Sequence, residues 1–389
     1  MYPNWNLTKV LAASIAALCT TTVYAMPKGP CESGSCSKGP YESVAAERDE
    51  HAMCSEPAPG PFGFAYPVDI NLACPRDFYF HADALLMQAK QDGLEFAITE
   101  TYAETNVVGN GTLYGFSGNS RDYHYNPGLR VGCGFNLDHD AWNIDFNWTW
   151  LNITNRRSVN PGSSSDVIIP LLLIPNTGMP AATTDQGVSA VWSAHYDTFD
   201  ISLGKPFYVS RYLTFNPFFG LRGGWIDQHF SSHYGNVSST AAAHDIVTDL
   251  ENDFWGVGSR IGLGSEWILG KGWALFANFA GSFLFGKFDV TQQASYTLSA
   301  IQGYDVDDTH YQNVTNYEVA LGLAWTQYFS KDRYRAGLRL AYEFQNWADQ
   351  NQLRRFFGNN TVSGTFPNDT TARGDLTLNG LSLRVQFDI

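Results

Sequence analysis

Arg130, Arg222, Arg260, Arg335, Arg339 and Arg384 lie on the polar side of alternating apolar and polar residues, together with Asp145, Asp200, Glu266, Glu318, Glu343 and Asp388. Fixed cations and anions facing one another across a lumen create a transverse field that sorts solutes by charge and size. In a narrow lumen the same groups would pair off as a filling network, each ion offsetting its partner's desolvation. Other chemistry has weaker claims. His195, Asp197 and Asp200 share one segment, but catalysis needs convergence in space, which spacing alone does not supply. His229 and His233 would share one side of a loop only if it were ordered, so no metal site is expected. The stretch "GVGSRIG" lies inside a strand pattern with no helix after it, which excludes a dinucleotide loop. No catalytic residue and no cofactor is expected.

The charged residues inherit their placement from the segments around them. In "LSLRVQFDI" the residues Leu381, Leu383, Val385, Phe387 and Ile389 alternate with Ser382, Arg384, Gln386 and Asp388. Strict alternation defines a strand with two unlike faces. The pattern recurs in "WNIDFNWTW", "LTFNPFFGL", "WGVGSRIGLGSEW", "YEVALGLAW" and "YRAGLRLAYEF". These segments outrun the roughly 5–6 residues of ordinary globular strands. Trp255 and Trp267 are twelve residues apart and share a face. At about 3.3 Å per residue and a tilt near 45°, they stand roughly 28 Å apart along a barrel axis. An apolar band of about 25 Å edged by aromatic girdles has that height. Trp142, Trp150, Trp255, Trp267, Trp273 and Trp325 are the expected girdle. In the six quoted strands every Arg, Asp and Glu falls on the other face, so the apolar face is expected to meet lipid and the polar face the lumen.

Composition agrees. Aromatics make up 15% of the 389 residues and charged residues 16%, against roughly 25% charged in soluble domains. Lys9, the apolar run "VLAASIAALC" and "VYA" read as a secretory signal peptide, residues 1–25, cut after Ala25. Removing it takes Lys9 and no acid, moving the formal charge from −14 to −15. With no basic stripe, a nucleic-acid partner is disfavoured. The longest later apolar run, "VIIPLLLIP", is broken by two prolines and falls far below the roughly 18 residues of a membrane helix. The expected place is therefore the outer membrane of a Gram-negative type cell.

Short joints at "NLDHDA", "GKPFYVSR", "LGKG" and "SKDR" alternate with long polar stretches near 155–187, 231–252, 291–313 and 347–374. Short periplasmic turns and long extracellular loops are the outer-membrane barrel arrangement. The segment "AKQDGLEFAIT" reads as a hairpin that would give eleven strands; the even-number rule makes 91–121 an extracellular excursion instead. Ten strands follow, near 77–90, 122–137, 140–154, 190–205, 210–228, 253–269, 272–290, 315–329, 333–347 and 376–389, with twelve as the alternative. Residues 76–389 are thus an all-β, up-and-down transmembrane barrel whose last strand closes against its first. The apolar loop within 156–189 either constricts the pore or meets a surface outside.

"FHADALLMQAKQDGLEFA" and "NPGLRVGCGFNLDHDAWNIDFNWTWL" resemble the opening strands of the legionella-type major outer membrane proteins, which also have relatives in chlamydia-like bacteria. The resemblance covers the chain from about residue 76. It implies an abundant porin for small hydrophilic solutes or ions, cross-linked by disulfides. The final residue departs from the pattern, since Ile389 follows Phe387 where an aromatic commonly ends the strand. The alternative to a porin is a surface adhesin or structural barrel with a plugged lumen.

Residues 26–75 are rich in Pro, Gly and Ser and hold Cys31, Cys36, Cys54 and Cys74. The segment lacks periodicity and reads as irregular and periplasmic. In an oxidising compartment these thiols form disulfides. With Cys133, the odd count of five leaves at least one for an intermolecular bond, to an envelope protein or a second copy. Cys133 itself reads as a small apolar residue on the lipid side of its strand.

Overall fold

A computed structural model of the chain describes residues 66–67, 77–103, 106–107, 111–116, 124–137, 142–162, 166–172, 184, 186–237, 244–296, 304–357, 368–371 and 374–389. The expected signal peptide and the cysteines at 31, 36, 54 and 74 lie outside the described residues. No helix occurs among the described residues.

Ten antiparallel strands close into one barrel: β1 (Phe78–Gln91), β2 (Asn126–Leu137), β3 (Trp142–Val159), β4 (Val188–Gly204), β5 (Leu213–Val237), β6 (His244–Gly270), β7 (Trp273–Tyr296), β8 (Tyr304–Phe329), β9 (Tyr334–Asn351) and β10 (Gly374–Asp388). Each pairs with its sequence neighbours, and β10 closes on β1 with Leu383 opposite Ala84 and Phe387 opposite Phe80. The backbone N–H of Ile389 then donates to the Phe78 carbonyl. Closure pairs every strand on both sides, which is what a sheet surrounded by lipid requires. The turn Gly270–Gly272 has positive φ at all three residues, and two of them are glycine.

The alternation expected from the sequence places its apolar set outward. Ile261 is 65% exposed, Trp267 59% and Trp255 45%. The girdle tryptophans are outward at both ends of this band. One row reads Trp150, Asp197, Trp225, Trp255, Lys287 and Tyr311 across neighbouring strands. At the other end Trp273 packs against Trp325, ring centroids 6.5 Å apart.

Four strands are far longer than expected. β5 to β8 run 25, 27, 24 and 26 residues, where about 9–11 tilted residues cross a bilayer. Much of 231–252 and 291–313, expected as loops, is therefore barrel wall. The reason lies in the polarity, which inverts beyond Trp255. There Ile246, Leu250 and Phe254 point inward and are buried, while Glu251 and Asp253 point outward and are exposed. Below Trp255 the wall is solvated by lipid and wet inside; above it the wall is solvated by water and packs an apolar core. A scan for apolar outer faces stops at the girdle and misreads the projecting wall as loop.

The excursions after β1 and β3 make a small sheet over the mouth. Glu95–Ala103 pairs with Thr112–Gly115 and, on its other edge, with Asp166–Pro170. The apolar loop thus folds onto the mouth. Ile168 is fully buried in the same core as Phe96, Phe116, Trp192 and Trp347. Leu171 N–H donates to the Phe96 carbonyl at 3.0 Å, which also accepts from the Tyr234 hydroxyl at 2.8 Å. Phe116 stacks edge-on against Phe230 at 5.8 Å.

Two features concern the periplasmic rim. The short strand Tyr66–Pro67 pairs with Phe207–Ser210 in the turn between β4 and β5. Cys133, expected as a plain apolar residue, is buried and disulfide-bonded, so that reading is corrected. Spacing within a strand carries no sign of a covalent bond, which is why alternation could not find it.

Candidate functional site

The residues singled out for their charge come together. Arg130, Arg222, Arg260, Arg335, Arg339 and Arg384, with Asp145, Asp200, Glu266, Glu318 and Glu343, all line one interior cavity of about 550 Å³. It opens among the periplasmic turns, near Asp77, Leu137, Pro206 and Gly272, and ends at the layer of Asp83, Arg222 and Gln345. Strand parity does this: each residue sits on an even-numbered step from an inward neighbour.

The charges form two clusters on opposite walls. On β1, β2, β9 and β10, Asp83 accepts from Arg130 Nη1 at 3.0 Å and from Arg384 Nε at 2.8 Å. Arg130 also grips Glu343 with both terminal nitrogens, at 3.0 and 2.8 Å. On β4, β5, β6 and β8, Arg222 holds both oxygens of Asp200 at 2.6 Å and donates to Asn316 Oδ1 at 2.7 Å. Glu318 joins Arg222 to Arg260, whose Nη2 lies 2.5 Å from Glu318 Oε2. Fork-on-carboxylate geometry of this kind is the strong form of the ion pair. Nearer the rim, Arg339 pairs with Glu266 at 3.2 Å and Arg335 with Asp388 at 3.1 Å. Asp145 differs, accepting from the Tyr79 hydroxyl at 2.7 Å.

Aromatic rings carry three of the arginines, Arg222 beside Trp347 among them. The Arg260 guanidinium lies 4.9 Å from the Phe218 ring centre, and that of Arg339 5.4 Å from Phe276. A side chain at Gly262 would collide with the Phe218 ring. That glycine therefore makes room for the platform under a neighbouring arginine.

Asp83 was missed as a central carboxylate, although it anchors Arg130 and Arg384 and is 1% exposed. The signal was present: Tyr79, His81 and Asp83 alternate with Phe80, Ala82 and Ala84 in β1. His81 bonds Asn147 Oδ1 at 2.7 Å. His195, Asp197 and Asp200, weighed for catalysis on one segment, do not converge. His195 faces outward and pairs with Asp197 at 2.9 Å, whereas Asp200 faces inward onto Arg222. His229 and His233 each stand beside an outward carboxylate, Asp249 at 3.6 Å and Asp245 at 3.7 Å. Among the described residues no three His, Cys, Asp or Glu side chains are grouped to hold a metal ion.

A closed barrel with an apolar belt between tryptophan rows and a charged interior defines an outer-membrane β-barrel protein. The family described as Legionella pneumophila major outer membrane protein precursor matches residues 73–389. The chain belongs to that family, and its membrane is the outer membrane. No curated protein sequence matches it. Solved structures similar to it include the outer membrane protease OmpT from Escherichia coli, at 10% identity over 81% of this chain and 97% of that one, TM-score 0.35. The Pseudomonas putida toluene transporter TodX follows at 11% over 81% and 90%, TM-score 0.26. A Pseudomonas aeruginosa FadL homologue is 9% identical over 85% and 95%, TM-score 0.28.

Proposed function

We propose that the protein is a diffusion channel for small hydrophilic solutes, held closed when its mouth sheet is seated. The observation that carries this is the cavity of about 550 Å³, walled by arginines and carboxylates and open at the periplasmic rim. It is ended by side chains of the Asp83, Arg222 and Gln345 layer rather than by the barrel wall. The sheet at the mouth is joined to the barrel wall by side-chain bonds such as Tyr234 to the Phe96 carbonyl and Arg157 to the Gly115 carbonyl at 2.7 Å, so it can lift without unzipping a barrel ladder.

Swelling of liposomes carrying the refolded full-length chain tests this. Small neutral sugars or polyols should enter faster than into protein-free liposomes, and Tyr234→Phe should enter faster still. A second reading, a surface or structural barrel with a filled lumen, is favoured by the packed core around Trp192 and Trp347, both at 0% exposure. Liposomes that do not swell, with protein that still shows heat-modifiable migration, would establish it instead.

A further inference from the structure

The charges that the strands carry into the cavity balance, with one exception. Arg130 and Arg384 are spent on Asp83 and Glu343, and Arg222 and Arg260 on Asp200 and Glu318. Nearer the rim Arg339 takes Glu266 and Arg335 takes Asp388. Asp145 also lines the cavity, but the groups that bond it are uncharged. The Tyr79 hydroxyl donates to one of its oxygens at 2.7 Å, and the Asn147 amide donates to the other. Neutral donors favour the ionised carboxylate without cancelling its charge. Each arginine of the clusters and rim pairs thus has its carboxylate, and Asp145 adds one negative charge to the cavity.

The chain is built to hold that charge in place. Tyr79 and His81 of β1 reach Asp145 and Asn147 of β3 by lying across Gly134 and Gly132 of β2. A side chain at either glycine would run into the ring above it. The two rings stack, 6.3 Å apart with an interplanar angle of 19°. Asn147 Oδ1 can only accept, so His81 Nε2 carries the proton of their 2.7 Å bond. That turns the Asn147 amide nitrogen onto Asp145. Asn143 Nδ2 donates to the Tyr79 hydroxyl and to Asn136 Oδ1, both at 2.9 Å, which leaves the Tyr79 proton for Asp145. Asp145 stands four residues before Thr149, which lies opposite Arg130. A solute entering from the periplasmic rim therefore meets Asp145 before the two charged clusters.

The ion-paired groups present both signs to a passing solute, whereas Asp145 presents one. We propose that Asp145 is the residue that sets the charge preference of the channel, holding small cations at the rim end of the cavity. The inference rests on the channel reading, and the experiment separates the two. Planar bilayers carrying the refolded full-length chain, as wild type and as Tyr234→Phe, are placed in a gradient of dilute KCl, where screening is weak. The reversal potential should show K+ passing in preference to Cl−. Asp145→Asn should lower the ratio of K+ to Cl− permeability roughly sevenfold, because one unit charge about 7 Å from an ion in water changes the level of each ion about threefold, in opposite senses. Asp145→Glu should retain the ratio. Asp145→Ser replaces an asparagine variant that does not fold. Conductance with an unchanged ratio in the variant, or a wild type that favours Cl−, overturns the role of Asp145 and leaves the channel. No conductance from either wild type or Tyr234→Phe overturns the channel reading, and Asp145 as its selecting residue falls with it.

Discussion

Arg222 shows what the interior charges contribute one by one. Its side chain is 3% exposed and its fork is spent on Asp200, Asn316 and Glu318. Glu318 retains Arg260 if Arg222 is removed, but Asp200 does not gain a new partner among these contacts. A buried carboxylate stripped of its counter-ion costs about 3–5 kcal/mol, whereas replacing the whole pair with apolar groups is often neutral. Arg222→Leu should therefore lower the urea stability of the refolded barrel by about 3–5 kcal/mol. Arg222→Leu with Asp200→Leu should recover most of it. Equal losses in the single and double variants would show that packing, not charge, sets the cost.

The strands show how far periodicity reaches. Alternation in "WGVGSRIGLGSEW" placed Ile261 outward and Arg260 inward, because a period of two leaves no other arrangement once one face meets lipid. The hairpin at Gly93 was set apart by the even-number rule for such barrels, not by alternation. Alternation stopped at Trp255, because the apolar set changes face there while the strand continues to His244. Ion-pair partners were equally hidden: Asp83 and Glu343 meet at Arg130 across strands far apart in sequence, and one sequence does not state which strands face each other. Ile261→Arg should cost about 2–4 kcal/mol in folding into bilayers, as expected at mid-membrane, while Glu251→Arg above the girdle should cost little. Urea titrations in vesicles measure both, and similar costs for the two would move the membrane boundary.

For the molecule as a whole, the outward row above the girdle concentrates negative charge. Asp227, Asp253 and Asp289 stand side by side on β5, β6 and β7. Shelter between the strands, then the charges of Asp227, Glu251 and Asp289, push the Asp253 carboxyl up to about 7 from its ordinary 3.8. The folded chain thus holds this proton more tightly than the unfolded one. Its contribution is full below about pH 4 and is lost as pH rises through about 7. Solvent still reaches the side chain, so the change is modest. The urea midpoint should fall between pH 5 and pH 8, and Asp253→Asn should flatten that slope; a midpoint that rises over this range would reverse the assignment. The switch of polarity along the wall also gives the barrel a waterline. Sinking it by one pair of residues would carry the Asp227, Asp253 and Asp289 row into hydrocarbon, and lifting it would bare greasy side chains to water. The depth at which the protein floats is therefore written into its strands, and bilayers of unequal thickness must bend to meet it rather than the reverse.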